Sequence, residues 1–128
     1  MYKRQAEEYG VWFGEAHGLE VVSLRYGNVY GPRQDPTGDA GVIAIFCNRV
    51  LTGQRPIVFG DGRQTRDYVF VGDIVAANLA AARAATLSHP RYNVGTGVEV
   101  SVLELIDAVA AAASISSSTL TSTPVPTL

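Results

Sequence analysis

Apolar positions recur at three- and four-residue spacing over residues 3–17, where Ala6, Tyr9, Phe13 and Ala16 form a stripe and Gly18 supplies a stop. This pattern predicts a helix. Val21 to Arg25 is short and β-rich, which predicts a parallel strand covered on both faces. The chain then turns through Gly27, Gly31 and Pro32, and Arg33 to Asp39 reads as a polar loop. A second helix is predicted over about 42–51, burying Ile43, Phe46, Cys47 and Val50 and ended by Gly53. Pro56 to Phe59 predicts a short strand and Arg66 to Val71 another, with Tyr68 and Phe70 on one face and Val69 and Val71 on the other. Asp61-Gly62 between them is a turn signal.

Asp73 heads a predicted helix running to about Ala84, where a carboxylate can accept free backbone N–H groups and suits the positive helix end. Tyr92 to Val94 predicts a further strand before the Gly95-Thr96-Gly97 turn. Ser101 and Glu104 have the spacing of a capping box, opening a helix whose apolar face is Leu105, Ile106, Val109 and Ala110. Beyond Ala113 the periodicity dissolves into serines, threonines and prolines, and residues 114–128 are expected to be a disordered tail.

A chain of 128 residues can hold one domain with a modest core. Ten basic and twelve acidic residues give a formal charge of −2, which argues against a nucleic-acid surface. Cys47 is the single cysteine, so no internal disulfide can form and a reducing cytoplasm is the expected setting. Its apolar neighbours make it a small buried thiol. No segment has the layout of a signal peptide, and the alanine-rich run near Val109 is too short to span a bilayer. His17 and His89 each lack a nearby ligand at metal spacing, so no metal site is expected.

Two motifs carry the chemistry. Leu24-Arg25-Tyr26-Gly27-Asn28-Val29-Tyr30-Gly31-Pro32-Arg33-Gln34 places an amide, two phenols and guanidiniums at the carboxyl end of a strand, where open α/β sheets bind ligands. It resembles the LRYxNVYGPRQ signature of the NAD-dependent epimerase/dehydratase family, the extended short-chain dehydrogenases that rework nucleotide sugars. The run Phe59 to Asp73 resembles a second signature of that family, in the expected order. The resemblance covers residues 3–113. It implies an α/β fold in which residues 1–113 form the C-terminal part of a Rossmann-type domain: its last helix and strand plus a small α/β substrate-binding subdomain.

Family members are more than twice this long, and their first half holds a G-x-G-x-x-G loop. No such loop follows a strand here, and Gly60-Asp61-Gly62 is the nearest imitation. The chain therefore reads as a fragment, with NAD bound mainly by a missing N-terminal half. In the family a Tyr-x-x-x-Lys pair serves the reaction: the tyrosine takes a proton from a sugar hydroxyl, and the lysine lowers the tyrosine pKa and holds the nicotinamide ribose. Ungapped counting puts the lysine at Lys3 and the tyrosine two positions before Met1; Tyr2 cannot replace it. Met1 to Gln5 also resembles the translation of a common transposon-end sequencing adapter, so Lys3 matches as a native residue or as an added one.

The same resemblance implies further roles. Gly27 would lie where the backbone passes the nicotinamide end of NAD. Asn28 would hydrogen-bond the substrate phosphates, the alternative being a turn residue bonded to its own backbone. Arg66 would clamp the pyrophosphate with its forked donors, the alternative being a solvated surface arginine. Ile57, Val58 and Phe59 would meet the nucleobase, the alternative being ordinary strand packing. Asp73 is read as structural before catalytic. Trp12 packs either within the domain or at a seam, because relatives form homodimers through the first helix, where Tyr9, Trp12 and Phe13 offer anchors.

The implied activity is nucleotide-sugar epimerisation of the UDP-glucose 4-epimerase type, on a UDP-hexose, with the chain inactive alone. Long-type UDP-galactose 4-epimerases carry extra residues between Phe59-Gly60 and Arg66; here only Asp61 to Thr65 intervene. The compact form also suits NDP-sugar dehydratases and decarboxylases. A non-catalytic nucleotide-sugar binding module is the alternative from another class.

Overall fold

The structure is a computed structural model describing residues 2–37 and 41–114. In order it contains α1 (Tyr2–His17), β1 (Ser23–Tyr26), β2 (Asn28–Tyr30), α2 (Val42–Leu51), β3 (Thr65–Arg66), β4 (Tyr68–Phe70), α3 (Val71–Arg83), β5 (Arg91–Val94), β6 (Val100–Ser101) and α4 (Val102–Ala112). Strand β1 runs parallel to β5, with Ser23 opposite Arg91 and Tyr26 opposite Val94. Strand β2 runs parallel to β4, with Asn28 opposite Tyr68 and Tyr30 opposite Phe70. Strands β3 and β6 pair antiparallel, Arg66 facing Val100. Parallel partners need long crossovers, and α2 and α3 lie within those crossovers.

The core sits between α2 and α4. Phe46 and Val50 of the first meet Val102, Leu105, Ile106, Val109 and Ala110 of the second, with Val58 beneath them. Each of these side chains larger than alanine stabilises the fold by about 1.5–3 kcal/mol relative to exposure. The apolar face predicted for α4 is the one buried, and the capping box forms: Glu104 N donates to Ser101 Oγ at 3.2 Å, and Ser101 N donates to Glu104 Oε2 at 2.7 Å. On α2, Cys47 is half-buried rather than buried.

Several expectations are corrected. The stripe predicted to bury α1 is exposed, Tyr9 at 62% and Trp12 at 59%, so Trp12 does not pack within the described domain. The helix docks through its other side. A Cβ at Gly14 would lie 2.8 Å from both the Leu19 carbonyl and Val21, so only glycine allows this approach. The first strand starts at Ser23, and residues 28–30 form a strand rather than a turn. The strand predicted over 66–71 breaks at Asp67: Arg66 pairs with β6, Tyr68 to Phe70 pair with β2, and Val71 already begins α3.

Pro56 to Phe59 alternates as a strand would, with Pro56 and Val58 inward, but it pairs with no described strand and forms only an isolated bridge at Phe59. The Asp61-Gly62 turn is present, with Arg63 N donating to Asp61 Oδ1 at 3.0 Å, yet it leads β3 to β6 rather than closing a hairpin. Phe70, not Asp73, is the N-cap of α3, and no side chain caps it; Asp73 lies in the first turn, where its charge suits the helix dipole. The polar loop is described as far as Thr37. Of the tail, only Ser114 falls within the described residues.

Candidate functional site

Lys3, Gly27 and Asn28 come together where β1 gives way to β2, whereas Ile57, Phe59 and Arg66 line neither cavity beside that crossing. Gly27 N donates to the Val94 carbonyl of β5 at 2.9 Å, and one residue later Asn28 N donates to the Asp67 carbonyl at 2.7 Å. The chain thus leaves one parallel pair and joins another across a single glycine. Such divergence of neighbouring strands opens a crevice at their carboxyl ends. A Cβ at Gly27 would stand 2.9 Å from the Asp67 oxygen, so the crossing requires glycine.

On one side of the crossing, a cleft of about 540 Å³ is lined by Lys3, Ala6, Glu7, Arg25, Gly27 and Val29 among others. Lys3 and Gly27, matched separately to cofactor roles, therefore share one cavity. It offers an ammonium, an apolar wall and a backbone free of side chain. Asn28 begins β2 on the other branch and lines a smaller cavity of about 70 Å³ with Tyr68, Gln34 and Val42. Its place in a strand removes the self-bonded turn role.

Arg66 is exposed on β3, and its Nη1 donates to the Thr65 carbonyl at 2.8 Å. Burial pushes the Tyr68 phenol up, and the nearby Arg66 charge opposes that shift. Tyr68 therefore stays a neutral hydroxyl donor at neutral pH, beside a guanidinium. Ile57 and Phe59 face outward, whereas Val58 is 2% exposed and belongs to the core. Of these three residues, only the first and last expose apolar side chains at the surface.

Two carboxylates escaped the sequence reading. Glu7 Oε1 accepts from Arg25 Nε at 2.8 Å and its Oε2 from Arg25 Nη2 at 2.6 Å, with Arg91 Nε at 3.2 Å from Oε2. The Arg25 hydrogen bonds, ahead of the charges of Arg25, Arg91 and Arg4, hold its carboxyl below the usual range against the opposing cost of burial. Asp67 is likewise held low, first by the Thr96 hydroxyl and then by the Thr96 and Gly97 N–H groups. Their partners lie 18 and about 29 residues away in sequence or further, beyond any local pattern. The donor-rich Gly95-Thr96-Gly97 turn was the one available signal. Among the described residues no group of three or more His, Cys, Asp or Glu is placed to hold a metal ion, and no helix is long and apolar enough to cross a membrane.

Comparison with known proteins agrees with this geometry. Residues 1–95 match the NAD dependent epimerase/dehydratase family. The UDP-glucose 4-epimerase of Mycolicibacterium smegmatis is 47% identical over 110 residues, which are 86% of this chain and 35% of that protein. The crystal structure of a UDP-glucose 4-epimerase from Thermotoga maritima with UDP-glucose superposes with a TM-score of 0.84 at 41% identity, covering 98% of this chain and 38% of that one. The UDP-glucose 4-epimerase of Thermus thermophilus in complex with NAD gives 0.80 at 45% identity, covering 94% and 38%. The chain spans about a third of the length of the curated relatives it matches. It shares their α/β fold, and with its two motifs at the strand crossing it belongs to the NAD-dependent epimerase/dehydratase family.

Proposed function

We propose that this chain supplies the nucleotide-sugar wall, and part of the cofactor wall, of an NAD-dependent UDP-hexose 4-epimerase. The observation that carries this reading is the crossing at Gly27, which has Lys3 and Gly27 in one cleft and Asn28 beside Tyr68 on the other branch. The similar Thermotoga and Thermus enzymes, with UDP-glucose and with NAD respectively, support it. NAD, when bound, accepts hydride from a sugar carbon and returns it.

The chain's own residues bind and orient. The Arg66 guanidinium and the Asn28 amide donate to the diphosphate, the charged donor contributing more. Ile57 and Phe59, with the backbone of Val58, border the nucleobase. The Lys3 ammonium faces the nicotinamide ribose, and Gly27 lets the backbone approach the ring. Glu7, four residues after Lys3 and so on the same helix face, is already engaged by Arg25 and Arg91, which leaves the ammonium available. Within these 128 residues no tyrosine stands four positions before Lys3 and no G-x-G-x-x-G follows a strand, so the chain alone should not turn over UDP-glucose. The whole enzyme draws those groups from other segments, and works in the cytoplasm as a homodimer joined through the aromatic face of α1.

Chemical-shift mapping tests the assignment. Millimolar UDP should move the amides of Asn28, Phe59, Arg66 and Tyr68, and NAD those near Lys3 and Gly27. UDP that leaves the first group unmoved would remove the substrate-wall reading.

A further inference from the structure

Asp67 stands between Arg66 and Tyr68 and belongs to neither strand. Its Oδ1 accepts from Thr96 N at 3.0 Å and from the Thr96 hydroxyl at 2.7 Å, while Oδ2 accepts from Gly97 N at 2.9 Å. Its backbone carbonyl accepts from Asn28 N at 2.7 Å. One residue thus gathers donors from the turn after β5 and from the start of β2. Space is kept for it on both sides: a Cβ at Gly95 would collide with Oδ2, and one at Gly27 with the carbonyl.

The neighbouring secondary structure cannot do this work. Strand β3 is two residues long and pairs only with the two residues of β6. So short a ladder leaves Arg66 little intrinsic order. The carboxylate, with three charge-assisted donors, is the stronger restraint. It fastens the backbone next to Arg66 to the turn after β5, while the backbone carbonyl of the same residue holds Asn28 N.

We propose that Asp67 is a positioning residue of the nucleotide-sugar site: by fastening the Arg66–Tyr68 segment to the Gly95–Gly97 turn and to Asn28, it holds the Arg66 guanidinium and the Asn28 amide as one diphosphate-binding pair. This rests on the roles given to Arg66 and Asn28 under the proposed function. Asp67→Asn is nearly isosteric but cannot reproduce the latch. An amide keeps one oxygen for Thr96 and turns an N–H₂ toward the Gly97 N–H, setting donor against donor. Thr96→Val is the milder change for the carboxylate, removing the hydroxyl that donates to Asp67 and accepts from Val98 N while leaving both backbone N–H bonds to the carboxylate.

The test is a double-mutant cycle on the 128-residue chain, read by UDP chemical-shift titration, together with nitrogen relaxation of Arg66 Nε without ligand. Asp67→Asn should weaken UDP binding roughly tenfold, the loss expected when a charged hydrogen bond is impaired. In an Arg66→Ala background the same change should cost less than about threefold, because it acts through the missing side chain. Arg66 Nε should become more mobile in Asp67→Asn, and by a smaller amount in Thr96→Val. Thr96→Val carries the test if Asp67→Asn unfolds. Effects of Asp67→Asn and Arg66→Ala that multiply fully, or an Arg66 Nε as ordered in the variants as in the wild type, would overturn the proposal. If the wild-type chain binds no UDP at millimolar concentration, the reading of the substrate wall fails instead, and the relaxation arm alone decides the latch.

Discussion

Glu7 and Asp67 each connect parts of the chain that lie far apart in sequence, and both do so through an ionised carboxyl. Glu7 ties α1 to β1 and β5 through Arg25 and Arg91. Asp67 ties the segment between β3 and β4 to the turn after β5. Both carboxyls are held below their ordinary values. At a pH close to those values the unfolded chain therefore binds more protons than the folded one. The stability they contribute is present above the ordinary carboxyl range and is lost as pH falls through the lowered values. Solvent access keeps each contribution modest. Thermal unfolding followed by circular dichroism should show a Tm that is steady from neutrality to about pH 5 and falls below about pH 4. Glu7→Gln and Asp67→Asn should each flatten that acid limb. An acid limb of unchanged slope in both variants would show that neither carboxyl matters to folding.

At the scale of elements, the helices were the most legible. The periodicity of α2 and α4 reports their buried faces, and Ser101 with Glu104 marks a start that the hydrogen bonds then make. Helix α1 misled for a physical reason: Ala6, Tyr9, Phe13 and Ala16 are a true apolar stripe, but their partner is not the described domain. Gly10 and Gly14 dock that helix instead, and glycines carry no hydropathic signal. The exposed aromatic face, with Tyr9 and Trp12 ring centres 5.7 Å apart, suits the proposed association through α1. Sedimentation at micromolar concentration should show the chain self-associating, and Trp12→Ser should shift it toward monomer. A wild-type chain that sediments as a monomer would sever α1 from the proposed homodimer.

The strands show why the rest was hidden. Residues 28–30 sit between two glycines and look like a turn, yet their backbone groups find β4, some forty residues later, in a parallel pair. Nothing local encodes that partnership. Arg66 to Val71 has the alternation of one strand, but Asp67 breaks it by giving its carbonyl to Asn28 and its carboxylate to the Gly95–Gly97 turn. Gly27, Asn28, Phe59 and Arg66 stand within the two motifs, but the arrangement that brings Lys3 to Gly27 was not legible, because it depends on α1 docking beside β1.

Across the whole molecule, three short strand pairs diverge around Gly27 and Asp67, and a helix-pair core lies to one side. In the proposed function this divergence presents a diphosphate-binding wall led by Arg66. Titration of wild-type and Arg66→Ala chains with UDP, and separately with NAD, decides it. Removing a charged donor costs about 1.5–3 kcal/mol, so Arg66→Ala should bind UDP roughly 10- to 100-fold more weakly, with NAD binding little changed. Arg66→Lys should recover part of the loss, since it restores charge without the fork, and Asn28→Ala should lose less than Arg66→Ala. A folded Arg66→Ala chain with wild-type UDP affinity would contradict the claim and return Arg66 to the solvated surface.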